Sequence, residues 1–257
     1  MGKTDYEWIE AGEEWSEPWG GSAPQWFGSI LPRIQAGLPA NTILEIASGF
    51  GRWSYYLKEH CSHLHLVDPA IECIEACRRR FASAPQVICH VNDGRILEMI
   101  PNGSIDFVFS FDSLVHVGRE TVEAYVTQLA GKLTENGMAF IHHSNLGQYA
   151  SSTAQRFSRR ARKLMSKGKV LGSDHQRDPE MTAELFRAIC QQHRFKCLCQ
   201  ELVNWRGRRL IDCFSTFARQ DSKWKAAARP FRNSNFMLEA QLIRRRSQYY
   251  PKIFKTS

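Results

Sequence analysis

The chain has 257 residues, 34 Lys and Arg against 26 Asp and Glu, and a hydrophobic share of 43%, which suits a folded core and excludes a disordered polymer. No apolar run reaches the ~18 residues needed to span a bilayer. Trp8, Glu10, Glu13 and Glu14 do not read as a secretory leader, so a cytoplasmic protein is expected. The eight cysteines lack paired CxxC spacing and are expected as reduced, mostly buried thiols.

The net charge of +8 is unevenly placed. Residues 1–20 carry six acids against Lys3, residues 151–178 eight bases against two acids, and residues 219–257 ten bases against two acids. The rest of the chain is close to neutral. The positive charge therefore describes accessories to a central domain, and either a solvated basic face or an anionic partner accounts for it.

In chain order, an entry region 1–40 contains Trp15, Trp19, Gly20 and Gly21 ahead of a helix expected over 25–35. It reads as a lid over a pocket or as an aromatic clasp. Apolar runs predict strands at 42–47, 64–68, 86–91, 105–111 and 138–142, separated by helices at 52–61, 70–81 and 120–134. A basic insertion, 151–178, with Arg156, Arg159, Arg160, Arg162, Lys163, Lys167 and Lys169, is expected as an acceptor lid. A helix at 182–193 and two strands at 196–205 and 209–218 complete the central unit, 41–218. The tail, 219–257, mixes Leu238, Leu242, Tyr249 and Tyr250 with Arg244 to Arg246. It suits an amphipathic helix, placed on a membrane surface, on the domain or on a second subunit. The alternation predicts an α/β fold with a doubly wound, mostly parallel seven-stranded sheet ending in an antiparallel hairpin.

Ligands of such sheets bind beyond the carboxyl ends of the strands, and the first three ends carry an ordered series. Glu45 is followed by Ala47, Gly49 and Gly51 in a small-residue turn that opens a helix. Asp68 ends the second strand, where a carboxylate could accept from both hydroxyls of a ribose. Asp93 and Gly94 follow the third.

This series resembles the class I S-adenosylmethionine-dependent methyltransferases over about 41–218, with Ala47 where that family usually has its first glycine. The resemblance implies a Rossmann-like fold and S-adenosylmethionine as cofactor. It further implies that Glu45 and the 47–51 turn hold the methionine moiety, Asp68 the ribose, and Asp93 with Gly94 the adenine. A carboxylate-rich pocket also fits a sulfonium cation.

The fourth and fifth strand ends, Phe111-Asp112-Ser113-Leu114-Val115-His116 and His142-His143-Ser144-Asn145, supply candidates for substrate chemistry. Methylation of a hydroxyl needs a base or a metal that acidifies it. His143 or His116 is the expected base, with Asp112 orienting it. Asp112, His142 and His143 form a candidate Mg²⁺ set, although adjacent histidines on a strand point to opposite faces. Asp212 sits in an apolar strand and needs a partner there or reaches the acceptor.

The local motifs look like those of bacterial sugar and polysaccharide O-methyltransferases. The expected acceptor is a sugar or glycan, anionic or lipid-linked, with contact to the inner face of the membrane through the basic segments, and a homo-oligomer is a further expectation. Nucleic-acid methylation is the alternative, weakened because no Pro-Pro-aromatic run follows the fourth strand. A cofactor-binding scaffold without catalysis would not need the ionisable groups at the strand ends.

Overall fold

The computed structural model describes residues 12–152, 177–205, 207–227 and 229–254. The expected acceptor lid, Arg156 through Lys169, lies outside the described residues.

The sheet contains β1 (Ala40–Ile46), β2 (Cys61–Asp68), β3 (Val87–Val91), β4 (Ile105–Ser110), β5 (Leu133–Ser144), β6 (Phe195–Val203), β7 (Asp212–Arg219) and β8 (Phe231–Asn233). Their order is β3-β2-β1-β4-β5-β7-β6-β8. β1 to β5 run parallel, and β7 is antiparallel to both β5 and β6. The sheet is thus the expected doubly wound one with its terminal hairpin, widened to eight strands by β8. β8 is only three residues long, too short for an alternation to show in the sequence. The strand order reverses between β1 and β4, which opens the ligand crevice there.

Alternate residues of each strand enter two cores. Ile43, Phe107, Phe109, Phe140 and Phe214 face a layer built from the entry region and the C-terminal helix. Leu44, Val108, Ala139, Ile141 and Phe217 face helices Arg119–Lys132 and Ala183–Gln192. Asp112, two residues beyond β4, and Glu45 near the end of β1 both lie at the carboxyl rim.

The entry helix is longer and less regular than expected. It is helical from 22 to 37, with a π turn at Trp26–Ile30 between two short α segments. The π turn inserts Trp26, which stacks on Tyr56 with centroids 5.2 Å apart. Trp19 is fully buried against Trp205 and Phe236, at 5.6 and 5.7 Å. At Trp19 the Trp-Gly-Gly element packs as an aromatic clasp. Gly20 suits this position: its φ of +88° strains any residue with a side chain, and a Cβ would lie 2.5 Å from Ser247 Oγ unless that hydroxyl moved.

Arg33 fastens the layer. Its Nε and Nη2 donate to the two carboxylate oxygens of Glu201, both at 2.7 Å, and Nη2 also reaches Glu239 at 3.2 Å. The guanidinium lies 5.2 Å from the Phe236 ring. A bidentate, partly buried pair of this kind is firmer than an exposed ion pair, and it joins entry region, β6 and C-terminal helix.

Candidate active site

The turn after β1 is built for close approach by a ligand. Ala47, Gly49 and Gly51 all adopt positive φ, at 59°, 56° and 78°. For Ala47 the left-handed conformation costs on the order of 1–2 kcal/mol, so glycine is usual at such a position. Gly51 cannot be replaced in the same way, since a Cβ would meet Phe81 Cε2 at 2.6 Å and Cys77 Sγ at 3.2 Å.

Asp68 braces this turn. Its Oδ2 accepts from the Gly49 N–H and its Oδ1 from the Ala70 N–H, each at 2.9 Å. Burial raises its pKa against the opposing pull of these two N–H groups. Each carboxylate oxygen keeps further lone pairs for a diol. Glu45, 2% exposed, accepts from Ser54 Oγ at 2.5 Å. Burial pushes its carboxyl up to about 8, with Ser54 and Arg52 pulling the other way, so a bound cation would help to ionise it. Asn92 Oδ1 holds the Gly94 N–H, while the exposed Asp93 caps the backbone of Arg95 and Ile96. Gly94 also takes positive φ, 85°. The residues present therefore fit the donor implied by the sequence: acids for a cation and a diol, around a backbone that admits close contact.

At β4, β5 and β7 the structure brings together a charged network only partly visible in the sequence. Asp112 has φ 63°, an uncommon conformation for a residue with a side chain. Its backbone N–H donates to His142 Nδ1 at 3.1 Å. On the far side of the ring, His142 Nε2 lies 3.4 Å from Asp212 Oδ2 without forming a hydrogen bond. Arg177 donates twice to Asp212, at 3.0 and 2.9 Å, and lies 4.0 Å from Asp112. On the other side Arg52 Nη2 lies 3.6 Å from Asp112 and Nη1 donates to Ser16 at 3.1 Å. Burial alone would raise the Asp212 pKa, but His142 and Arg177 outweigh it and hold the carboxyl below its ordinary value. Tryptophans wall the network, with Trp53 4.3 Å from the Arg52 guanidinium and Trp205 5.0 Å from that of Arg177.

Two expectations are corrected here. His143 is fully buried on the opposite face of β5, where its ring stacks on Phe186 at 4.1 Å. Its Nδ1–H donates to the Ser144 carbonyl at 2.9 Å, and its Nε2 accepts from Ser215 at 2.8 Å. Both nitrogens are committed, and the residue does not reach the rim as a base. The set Asp112, His142 and His143 likewise cannot share an ion, because the two histidines diverge and the His142 lone pair is taken by the Asp112 N–H. No group of three or more metal-ligating side chains occurs among the described residues. His116 is exposed in the turn Leu114–His116.

The His143 burial has a measurable consequence. Desolvation pulls its pKa down to about 4. The unfolded chain takes up the proton near pH 6.5 and the folded chain refuses it until about 4, so stability is lost as pH falls between these values. The His143 contribution is roughly 3 kcal/mol. His65 and His90 shift in the same direction, so urea unfolding at pH 7 and 4.5 should compare the natural chain with His143→Gln. The pH dependence should shrink in the variant; an unchanged dependence would refute the assignment.

Residues missed in the sequence are Arg52, Arg177 and Ser54. Arg52 directly follows Gly51, so its place at the rim was legible. Arg177 ends a basic run that offers no signal to single it out.

Residues 43–137 match the family model described as a methyltransferase domain. No curated protein matches the chain. Among solved structures, the PH0226 protein of Pyrococcus horikoshii is 15% identical with a TM-score of 0.61, over 85% of this chain and 100% of that one. An S-adenosylmethionine-dependent methyltransferase from Mesorhizobium loti is 17% identical, TM-score 0.54, over 76% and 98%. Magnesium protoporphyrin IX methyltransferase from Synechocystis, with bound S-adenosylhomocysteine, is 14% identical, TM-score 0.53, over 85% and 90%. At these identities the structures speak for the fold. Together with the matched segment, they show a Rossmann-like methyltransferase fold whose residues 43–137 resemble a methyltransferase domain.

Proposed function

We propose that the protein methylates a hydroxyl of a sugar or glycan. The observation that carries this reading is the Arg52–Asp112–Arg177–Asp212 network at the acceptor end of the sheet. Two guanidiniums and two carboxylates balance in charge and offer paired donors and acceptors beside tryptophans, the chemistry that recognises vicinal hydroxyls on an apolar ring. A reacting group of strong negative charge would favour an unbalanced basic site instead.

In this reading Glu45 and the 47–51 turn hold the methionine end of the donor, Asp68 the ribose, and Asp93 with Gly94 the adenine. The donor supplies an electrophilic methyl group when bound. His116 takes the proton of the acceptor hydroxyl, a role neutral imidazole suits near pH 7. Asp112, held in place through its N–H by His142 and flanked by Arg52 and Arg177, orients the acceptor.

Radiolabelled methyl transfer should be screened over free sugars, nucleotide sugars and RNA. Transfer to a sugar acceptor is expected, with His116→Ala lowering kcat about 100-fold or more and removing the acid limb of the pH profile. Labelling of RNA alone, or full activity in His116→Ala, would overturn the reading.

A further inference from the structure

The C-terminal helix Phe236–Phe254 has one face inside the fold and one outside. Phe236 and Ala240 are fully buried, Ile243 rests on Gly28, and Arg244 reaches Glu17 at 2.6 Å. On the opposite side Leu238, Leu242 and Tyr249, spaced at four and seven residues, form one stripe at helical period. They are 52%, 42% and 61% exposed. Arg245 and Arg246 border the stripe, and neither makes an ion pair with the described residues. The only acid of the helix, Glu239, is engaged by Arg33 and Asn233. Beside the stripe, a shallow recess of about 470 Å³ is lined by Arg245, Arg246, Gln248, Tyr249 and Tyr250.

We propose that this outward face is a docking surface for an anionic lipid leaflet. Aliphatic side chains gain by entering the acyl boundary, tyrosines favour the headgroup level, and two arginines without an ion pair among the described residues, beside an open recess, suit lipid phosphates. Charge decides against the other occupants. A second copy seated on the same face would bring Arg245 and Arg246 toward their equivalents, and the helix's own acid, Glu239, is already engaged. A nucleic acid would use the arginines and leave Leu238 and Leu242 in water. No described helix is long and apolar enough to cross a membrane, so the contact is peripheral. It is independent of which acceptor the enzyme methylates.

The test is sedimentation of the full chain with vesicles of phosphatidylcholine alone and of a three-to-one mixture with phosphatidylglycerol. Binding to the mixed vesicles, weakened by salt, is expected. Arg245→Glu with Arg246→Glu, and separately Leu238→Ser with Leu242→Ser, should each weaken it at least tenfold, with unchanged circular dichroism and thermal midpoint. No binding to mixed vesicles, or equal binding by either variant, would overturn the proposal. So would a dimer in solution that Leu242→Ser dissociates, or RNA binding lost with the arginines and kept without the leucines.

Discussion

Asp212→Ala is expected to lower the unfolding free energy by about 3–5 kcal/mol, the cost of leaving a buried charge without its partner. Asp212 is fully buried, accepts both bonds of the Arg177 fork and lies 3.4 Å from His142 Nε2. Its loss removes both bonds of the fork from the guanidinium, whose next carboxylate among the described residues is Asp112 at 4.0 Å. The penalty comes from breaking the pair rather than from having lacked it. Arg177→Met combined with Asp212→Ala should therefore recover much of the loss. Urea unfolding of the four species in a double-mutant cycle measures the coupling. A shift below about 1 kcal/mol for Asp212→Ala would place the network among exposed, weakly coupled pairs and contradict its geometry. Activity should fall in the rescued double variant as well, because the charges that flank Asp112 and His142 are then removed.

Asp68→Ala should lower affinity for S-adenosylhomocysteine about 30-fold or more. Two charge-assisted hydrogen bonds to a diol are each worth ~1.5–3 kcal/mol where water is excluded. The change also releases the Gly49 and Ala70 N–H groups, loosening the turn that must approach the ligand. Asp68→Asn keeps an acceptor for one of them and should lose less. Ligand-induced rise of the thermal midpoint reports the difference, since stabilisation scales with the logarithm of ligand over Kd. An undiminished rise in Asp68→Ala would remove this residue from the cofactor site.

The sheet was legible because its strands are apolar runs bounded by turns, and β1 to β7 fall where those runs predict them. The proposed cofactor end stood out for a related reason: Glu45, Asp68 and Asp93 each sit at or just beyond a strand end, where ligands of such sheets bind. The acceptor end was harder to read. His142 and His143 look equivalent in sequence, yet strand alternation sends one to the rim and the other under Phe186. The alternation was foreseeable, but which face is the rim depends on where the strand meets β7, a pairing distant in sequence. Arg177 and Asp212 are 35 residues apart, and only folding shows that they meet. Trp19 was ambiguous because a Trp-Gly-Gly run serves a lid or a clasp equally; its packing on Trp205 and Phe236 depends on segments nearly two hundred residues away.

The +8 of the chain takes its meaning from these positions. The described rim is close to charge balance, with Arg52 and Arg177 set against Asp112 and Asp212, while Arg245 and Arg246 stand on an outer helix face. The proposed reaction and the proposed surface contact then rest on separate parts of the molecule.

Isothermal titration of the purified chain with S-adenosylhomocysteine tests the central claim most directly. Saturable binding at one molecule per chain, displaced by S-adenosylmethionine, is the predicted result; no saturable heat at millimolar ligand from a folded sample would contradict it.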